Sequence, residues 1–129
     1  MHLILDIRCT NQELLINHES LSEWMLLLCH EIGMTPVGNP IIQDFLWPGG
    51  KVAVPSACLF LAESSITLHV YPEFNYLYLD IFSCKNFDTA KAIEFVNRTL
   101  SVTHRTTYAF KRGINMETRE PLQLVPTFP

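Results

Sequence analysis

Apolar and polar positions alternate from the start of the chain. From His2 to Arg8, Leu3, Leu5 and Ile7 alternate with His2, Ile4 and Asp6, the period of a half-buried strand. Ser20-x-x-Glu23 reads as a capping box opening a helix, because Leu21, Trp24, Met25, Leu28 and Ile32 then recur at helical spacing. Gly33 stands where that helix needs a C-terminal cap, and Thr10-x-x-Glu13 is a weaker box that could start a short turn before it. From residue 40 the pattern becomes extended. Strands are expected over Ile41–Trp47, Lys51–Leu61, Ser65–Tyr71 and Tyr76–Ser83, with turns at Pro48-Gly49-Gly50 and Pro72-Glu73-Phe74-Asn75. Asp88 caps a second helix with the stripe Ala92, Ile93, Val96 and Leu100, and Thr103–Lys111 is a last strand. The final sixteen residues hold three prolines and no clear period, which suggests a tail or a surface strap.

The order β-α-β-β-β-β-α-β predicts a single α+β domain over 1–129, a two-layer sandwich of a mostly antiparallel sheet with two helices on one face. Strand parity says more. Ile66, Leu68 and Val70 can share a face with Leu77, Leu79 and Ile81, a uniform aliphatic surface suited to the helices. The opposite face carries Ser65, Thr67, His69 and Tyr71, with Tyr76, Tyr78, Asp80, Phe82 and Cys84. Such a mixture is too apolar for open water and too polar for an ordinary core. It either leaves scattered aromatics in solvent or packs on a second sheet, most simply that of another subunit at a dimer interface.

Composition narrows the partners. The 129 residues are 48% hydrophobic and 17% charged, and a formal charge of −4 with no basic cluster argues against nucleic acid. No apolar run is long enough to span a membrane. Met1 and His2 lead directly into Leu3-Ile4-Leu5-Asp6 without the basic region or cleavage site of a signal peptide, so the cytoplasm is the expected compartment. Cys9, Cys29, Cys58 and Cys84 are irregularly spaced and form no C-x-x-C pair, so free thiols are expected, three of them as small buried residues. The five histidines show no ligand spacing, and no metal is expected.

The segment Ala62-Glu63-Ser64-Ser65-Ile66-Thr67-Leu68-His69-Val70-Tyr71-Pro72-Glu73, followed by Tyr78-Leu79-Asp80-Ile81-Phe82-Ser83-Cys84, resembles the small prokaryotic S-adenosylmethionine decarboxylase proenzymes. The resemblance runs from about His2 to the last strand and is most specific between residues 56 and 84. It implies that the chain cuts itself between Glu63 and Ser64, into 1–63 and 64–129, and that Ser64 becomes a pyruvoyl group. The chemistry accounts for the residue types. The Ser64 hydroxyl would attack the Glu63 carbonyl to make an ester, and β-elimination followed by hydrolysis would leave the pyruvoyl group. By resemblance His69 is the base for the Ser64 α-hydrogen, and Ser56 assists the acyl shift. The pyruvoyl ketone then condenses with the substrate amine as a Schiff base and takes up the electrons left by departing CO2. Cys84 would return a proton to the α-carbon, and Glu73 would hold the substrate ribose. Phe45 and Trp47 are candidate platforms for an adenine. The family also implies a homodimer of cleaved protomers with each site built from both.

Ser64, His69, Cys84, Ser56 and Glu73 each have a plain structural reading when taken singly, as loop serine, core histidine, buried thiol and surface residues. Together and in order they carry the chemistry. Ser65 stands where bacterial members often have a second histidine, and Lys85 follows Cys84 where glycine is usual; the short leader common in the family is absent before the first strand. None of these removes a processing residue. The expected activity is decarboxylation of S-adenosylmethionine for polyamine (spermidine) biosynthesis. The alternatives are an ornithine or arginine decarboxylase with Glu73, Asp80 or Asp6 facing the cationic side chain, an inactive regulatory homologue, and an unrelated binding domain.

Overall fold

The first strand lies inside the sheet, not at its edge. A computed structural model describes residues 1–123 in full and residues 125–126 as backbone. Strand β1 (His2–Cys9) pairs antiparallel with β5 (Tyr76–Ser83) on one side and β6 (Val102–Lys111) on the other. Beyond β5 come β4 (Ser64–Tyr71), β3 (Val54–Phe60) and the edge strand β2 (Ile41–Phe45). The order is β2-β3-β4-β5-β1-β6, with a two-residue β7 (Val125–Pro126) against the end of β6.

One face of this sheet is covered by α2 (His18–Glu31) and α3 (Thr89–Leu100), with the short α1 (Glu13–Ile16) beside α2. The aliphatic face read from parity forms the core. Leu3, Leu5, Ile7, Ile66, Leu68, Leu77, Leu79 and Ile81 are fully buried, and Val70 nearly so. They meet Leu21, Trp24, Met25 and Leu28 of α2 and Ala92, Phe95, Val96 and Leu100 of α3. Each buried aliphatic side chain contributes about 1.5–3 kcal/mol, so this face decides the fold. The other face has no helix over it. Phe60, Tyr78 and Tyr108 remain 53%, 41% and 45% exposed there.

Several expectations need correction. Helix α2 begins at His18, because the Asn17 side chain accepts from the Ser20 N–H and so places Ser20 inside the first turn. The Thr10 side chain donates to the Ser101 carbonyl and caps nothing; α1 has Gln12 at its N-cap without a side-chain hydrogen bond. The end of α2 is as expected. Gly33, at φ +68°, donates to His30 O and Met34 to Cys29 O, the paired hydrogen bonds of a Schellman motif. Strand β2 stops at Phe45 and β3 starts at Val54, because Trp47-Pro48-Gly49-Gly50 closes a turn in which Gly50 N–H donates to Trp47 O. Pro48 and the positive φ of Gly49, +86°, fit a type II turn. Strand β4 starts one residue earlier than expected, at Ser64 itself.

Asp88 caps α3 by accepting from the Lys91 N–H. All four cysteines are free, but only Cys9 and Cys29 are buried; Cys58 is half-buried and Cys84 exposed. The C-terminal stretch folds back as a strap where Ile114 bridges Pro121. The rest of that expectation, residues 124 and 127–129, lies outside the described residues.

Candidate active site

The Glu63–Ser64 peptide bond lies in the tight turn between β3 and β4. Leu61 N–H donates to Ser64 O at 2.9 Å, which leaves Ala62 and Glu63 as a two-residue turn. A segment just after α2 grips the turn from outside: Ala62 N–H donates to Thr35 O at 2.9 Å and Val37 N–H to Phe60 O at 2.8 Å.

The Glu63 carbonyl oxygen accepts two hydrogen bonds from one residue. The Cys84 N–H and the Cys84 thiol each reach it at 2.9 Å. Ser64 Oγ lies 3.4 Å from the same sulfur. Cys84 follows directly on β5, whose Ser83 is the register partner of Ser64, so the sheet pairing itself brings the thiol to the turn. Two donors on one carbonyl polarise it and await the negative charge that nucleophilic attack would place on its oxygen.

The Glu63 side chain is tied down as well. Oε2 accepts from the Thr35 N–H at 3.1 Å, and Oε1 from the Thr35 hydroxyl at 3.3 Å. Lys85 Nζ reaches Oε1 at 3.3 Å and also donates to Gly33 O at 3.1 Å. The Thr35 amide chiefly, then Glu63's own amide and after it Lys85, hold the Glu63 carboxyl below its usual range against the opposing effect of burial.

A second group of predicted residues sits elsewhere. Ser56 on β3 is the register partner of His69 on β4, and Ser56 Oγ lies 3.0 Å from His69 Nδ1 on the open face. His69 is five residues beyond Ser64, which in an extended strand is about 17 Å at ~3.3 Å per residue. Within one chain His69 therefore does not come near Ser64 or Cys84, although parity puts it on the face shared with Cys84.

Beyond His69 the strands end in a pocket of about 260 Å³ lined by Ile16, Trp47, Val52, Val54, Tyr71, Glu73 and Phe74. Trp47 packs edge-on against Tyr71 and Phe74, with ring centres 5.8 and 5.9 Å apart. The wall is aromatic with one carboxylate, Glu73. Phe45 is not part of it, lying 41% exposed on the edge strand opposite Val54. Asp6 and Asp80 are also outside it, in the middle of the open face. Asp80 is 3.0 Å from His2 Nε2, and burial, then the Asp80 charge, push the Asp6 carboxyl up.

Sequence reasoning did not find Thr35 or Ile16, read Gly33 only as a helix cap, and noted Lys85 only as a departure. Thr35 is 28 residues from Glu63, and no spacing rule connects them. Among the described residues no group of three or more His, Cys, Asp or Glu is arranged to hold a metal ion. No helix among them is long and apolar enough to cross a membrane.

Comparison with known proteins gives a consistent result. A family model described as S-adenosylmethionine decarboxylase matches residues 1–113. A protein named S-adenosylmethionine decarboxylase proenzyme from Caldicellulosiruptor saccharolyticus is 28% identical over 114 residues, 88% of this chain and 87% of that one. One of the same name from Thermosipho melanesiensis is 32% identical over 100 residues, 77% of this chain and 72% of that one. The crystal structure of the adenosylmethionine decarboxylase from Aquifex aeolicus superposes with a TM-score of 0.69 at 18% identity, covering 90% of this chain and 92% of that one, a likeness of fold.

Proposed function

Because this chain belongs to the S-adenosylmethionine decarboxylase family, we propose that it is a pyruvoyl-dependent carboxy-lyase that matures by cutting itself between Glu63 and Ser64 and then decarboxylates S-adenosylmethionine. The observation that carries the reading is the Glu63 carbonyl, held at 2.9 Å by both the amide and the thiol of Cys84. An ordinary surface turn has no use for two donors on a carbonyl whose next residue is a serine.

Ser64 Oγ attacks the Glu63 carbonyl carbon, and the Cys84 amide and thiol receive the developing oxyanion. The Oγ–C bond forms as the Glu63–Ser64 C–N bond breaks, giving an ester and a free Ser64 amine. A base then removes the Ser64 Cα proton while the Cβ–Oγ bond breaks, and Glu63 departs as the carboxylate end of 1–63. The remaining dehydroalanine takes up water and loses ammonia, which leaves the pyruvoyl group at the head of 64–129. The residues present fit that group, since Ser64 heads a strand and Cys84 stays beside it. Once formed, the group supplies an electron sink for decarboxylation. Cys84 is then placed to hold and return a proton at the substrate α-carbon.

The base is the remaining requirement. With His69 about 17 Å along its own strand from Ser64, the geometry favours His69 of the partner subunit. Two copies packed by their open faces about a two-fold axis would cover Tyr78, Tyr108 and Phe60 and bring the Ser56–His69 end of one against the Ser64–Cys84 end of the other. The pocket holding Trp47, Tyr71 and Glu73 would join the same composite site. Its aromatic wall and single carboxylate suit a purine nucleoside better than a guanidinium or ammonium side chain, which would seek several acids. That favours S-adenosylmethionine over ornithine or arginine. We place the enzyme in the cytoplasm, acting in polyamine biosynthesis.

Denaturing mass spectrometry of the purified protein tests the maturation, and CO2 release from S-adenosylmethionine, ornithine and arginine tests the substrate. The expected result is two fragments, 1–63 and a pyruvoyl-headed 64–129, with CO2 from S-adenosylmethionine. A single uncut chain, or CO2 only from a basic amino acid, would overturn the corresponding part.

A further inference from the structure

We infer that Lys85 and Thr35 are positioning residues for self-cleavage, acting through the Glu63 carboxylate to hold the scissile carbonyl in its attacked geometry. The inference rests on the self-cleavage reading above and adds residues that the resemblance does not assign.

Three observations carry it. First, the Glu63 side chain lies at a turn, where a carboxylate would ordinarily be free in water, yet it keeps only 16% exposure and both its oxygens have donors. Second, Lys85, though its side chain is half exposed, is held at both ends. Its Nζ bridges Glu63 Oε1 and Gly33 O, and its own N–H donates to the hydroxyl of the fully buried Ser83 at 3.1 Å, so both ends of the residue are tied. Third, the clamp and the oxyanion donors grip the same residue from adjacent positions. Cys84 holds the Glu63 carbonyl and Lys85, next in the chain, holds the Glu63 carboxylate. Thr35 completes the arrangement, since its carbonyl accepts from Ala62 while its amide and hydroxyl donate to Glu63.

The acyl shift depends on the angle at which Ser64 Oγ meets the carbonyl. Cys84 holds this peptide plane by its oxygen alone, and the anchored Glu63 side chain supplies a second point that opposes its rocking about that oxygen. A misplacement near 1 Å costs about 100-fold in rate, so a charge-assisted anchor at this point has leverage on the reaction far beyond its small effect on stability.

The test is a time course of precursor cutting after cell-free synthesis of the full chain, read by denaturing mass spectrometry. Lys85→Met should slow cutting about 10- to 100-fold, and Lys85→Arg should restore it to within about threefold, because a guanidinium can make the same charged contact. Glu63→Gln should slow cutting similarly, and the Lys85→Met/Glu63→Gln double variant should be no slower than the worse single one, since both remove one contact. Cutting of Lys85→Met at the wild-type rate, or effects that multiply in the double variant, would overturn the inference. Should Lys85→Met fail to fold, judged by melting in a Ser64→Ala background, Glu63→Gln decides alone, with an undiminished rate counting against. A wild-type chain that never cuts refutes the self-cleavage reading itself, and that failure is seen before any variant is made.

Discussion

Ser56 Oγ and His69 Nδ1 lie 3.0 Å apart across the β3–β4 pair, a hydroxyl–imidazole couple far along the sheet from the serine it is expected to serve. If His69 is the base for Ser64, its distance from that serine within one chain calls for a second copy, and this can be checked genetically.

Ser64→Ala and His69→Ala chains should each stay uncut when made alone. Made together, they should form a mixed dimer with one intact composite site, holding Ser64 of the His69→Ala chain and His69 of the Ser64→Ala chain. Mass spectrometry should then find the His69→Ala chain cut and the Ser64→Ala chain whole. Two uncut chains in a verified mixed dimer would mean that each site is built within one chain.

Cys84 combines a backbone and a thiol donor on one oxygen, and only the thiol can be removed by mutation. Cys84→Ala should slow cutting by about 100-fold, the usual cost of losing one oxyanion donor. Cys84→Ser keeps a donor and should cut within about tenfold of wild type by the same argument. A Cys84→Ala chain cutting at full rate would show that the amide alone suffices.

The pocket wall depends on a glycine. A Cβ at Gly50 would lie 2.8 Å from Trp47 Cδ1 and 3.1 Å from Nε1, so Gly50→Ala must push the indole out of its place beside Tyr71 and Phe74. We expect KM for S-adenosylmethionine to rise about tenfold, the order of effect of one misplaced group in an apolar pocket. Precursor cutting should be unchanged, because the pocket lining includes none of Ser64, Cys84, Ser56 or His69, the residues assigned to the acyl shift. An unaltered KM would separate Trp47 from substrate.

Asp6 is held above its ordinary value of 3.8 by burial first and by the Asp80 carboxylate second. The sign follows from linkage. A carboxyl whose pKa is raised in the folded state binds its proton more tightly there, so the folded state loses stability as pH rises through the window above 3.8. Asp6→Asn should therefore raise the melting temperature at pH 7, with the gain vanishing below the ordinary carboxylate value. Melting curves at the two pH values, in a Ser64→Ala background, check it. An equal change at both would assign the effect to packing.

Much of the fold could be read from the sequence because its period is simple. Ile66, Leu68 and Val70 alternate with Thr67 and His69 without interruption, and burial follows that alternation residue by residue. Asp88 was legible as a cap because the apolar stripe that begins at Ala92 starts one turn beyond it. Asn17 was missed because Ser20 offers the same chemistry three residues on, and only the folded backbone decides which oxygen meets which amide. The site divides in the same way. Ser64, Cys84, Ser56 and His69 carry recognisable chemistry, whereas their grouping does not follow from spacing. Five residues are close in a helix but far in a strand. The contact of Thr35 with Glu63 exists only because the turn after α2 runs beside the β3–β4 turn.

The place of β1 in the sheet has a consequence for any chain cut after Glu63. A cut after Glu63 assigns β1, β2 and β3 to one polypeptide and β4, β5 and β6 to the other, yet the strand order interleaves them. The β3–β4, β5–β1 and β1–β6 pairings all become contacts between separate chains, with β1 inserted between two strands of its former C-terminal half. Neither piece would keep the sheet alone, so refolding of a cut chain would require two polypeptides to meet, and its midpoint would depend on protein concentration. In an uncut chain the two halves stay tethered, while in a cut one each half, once they diffused apart, would have to find its complement again in solution.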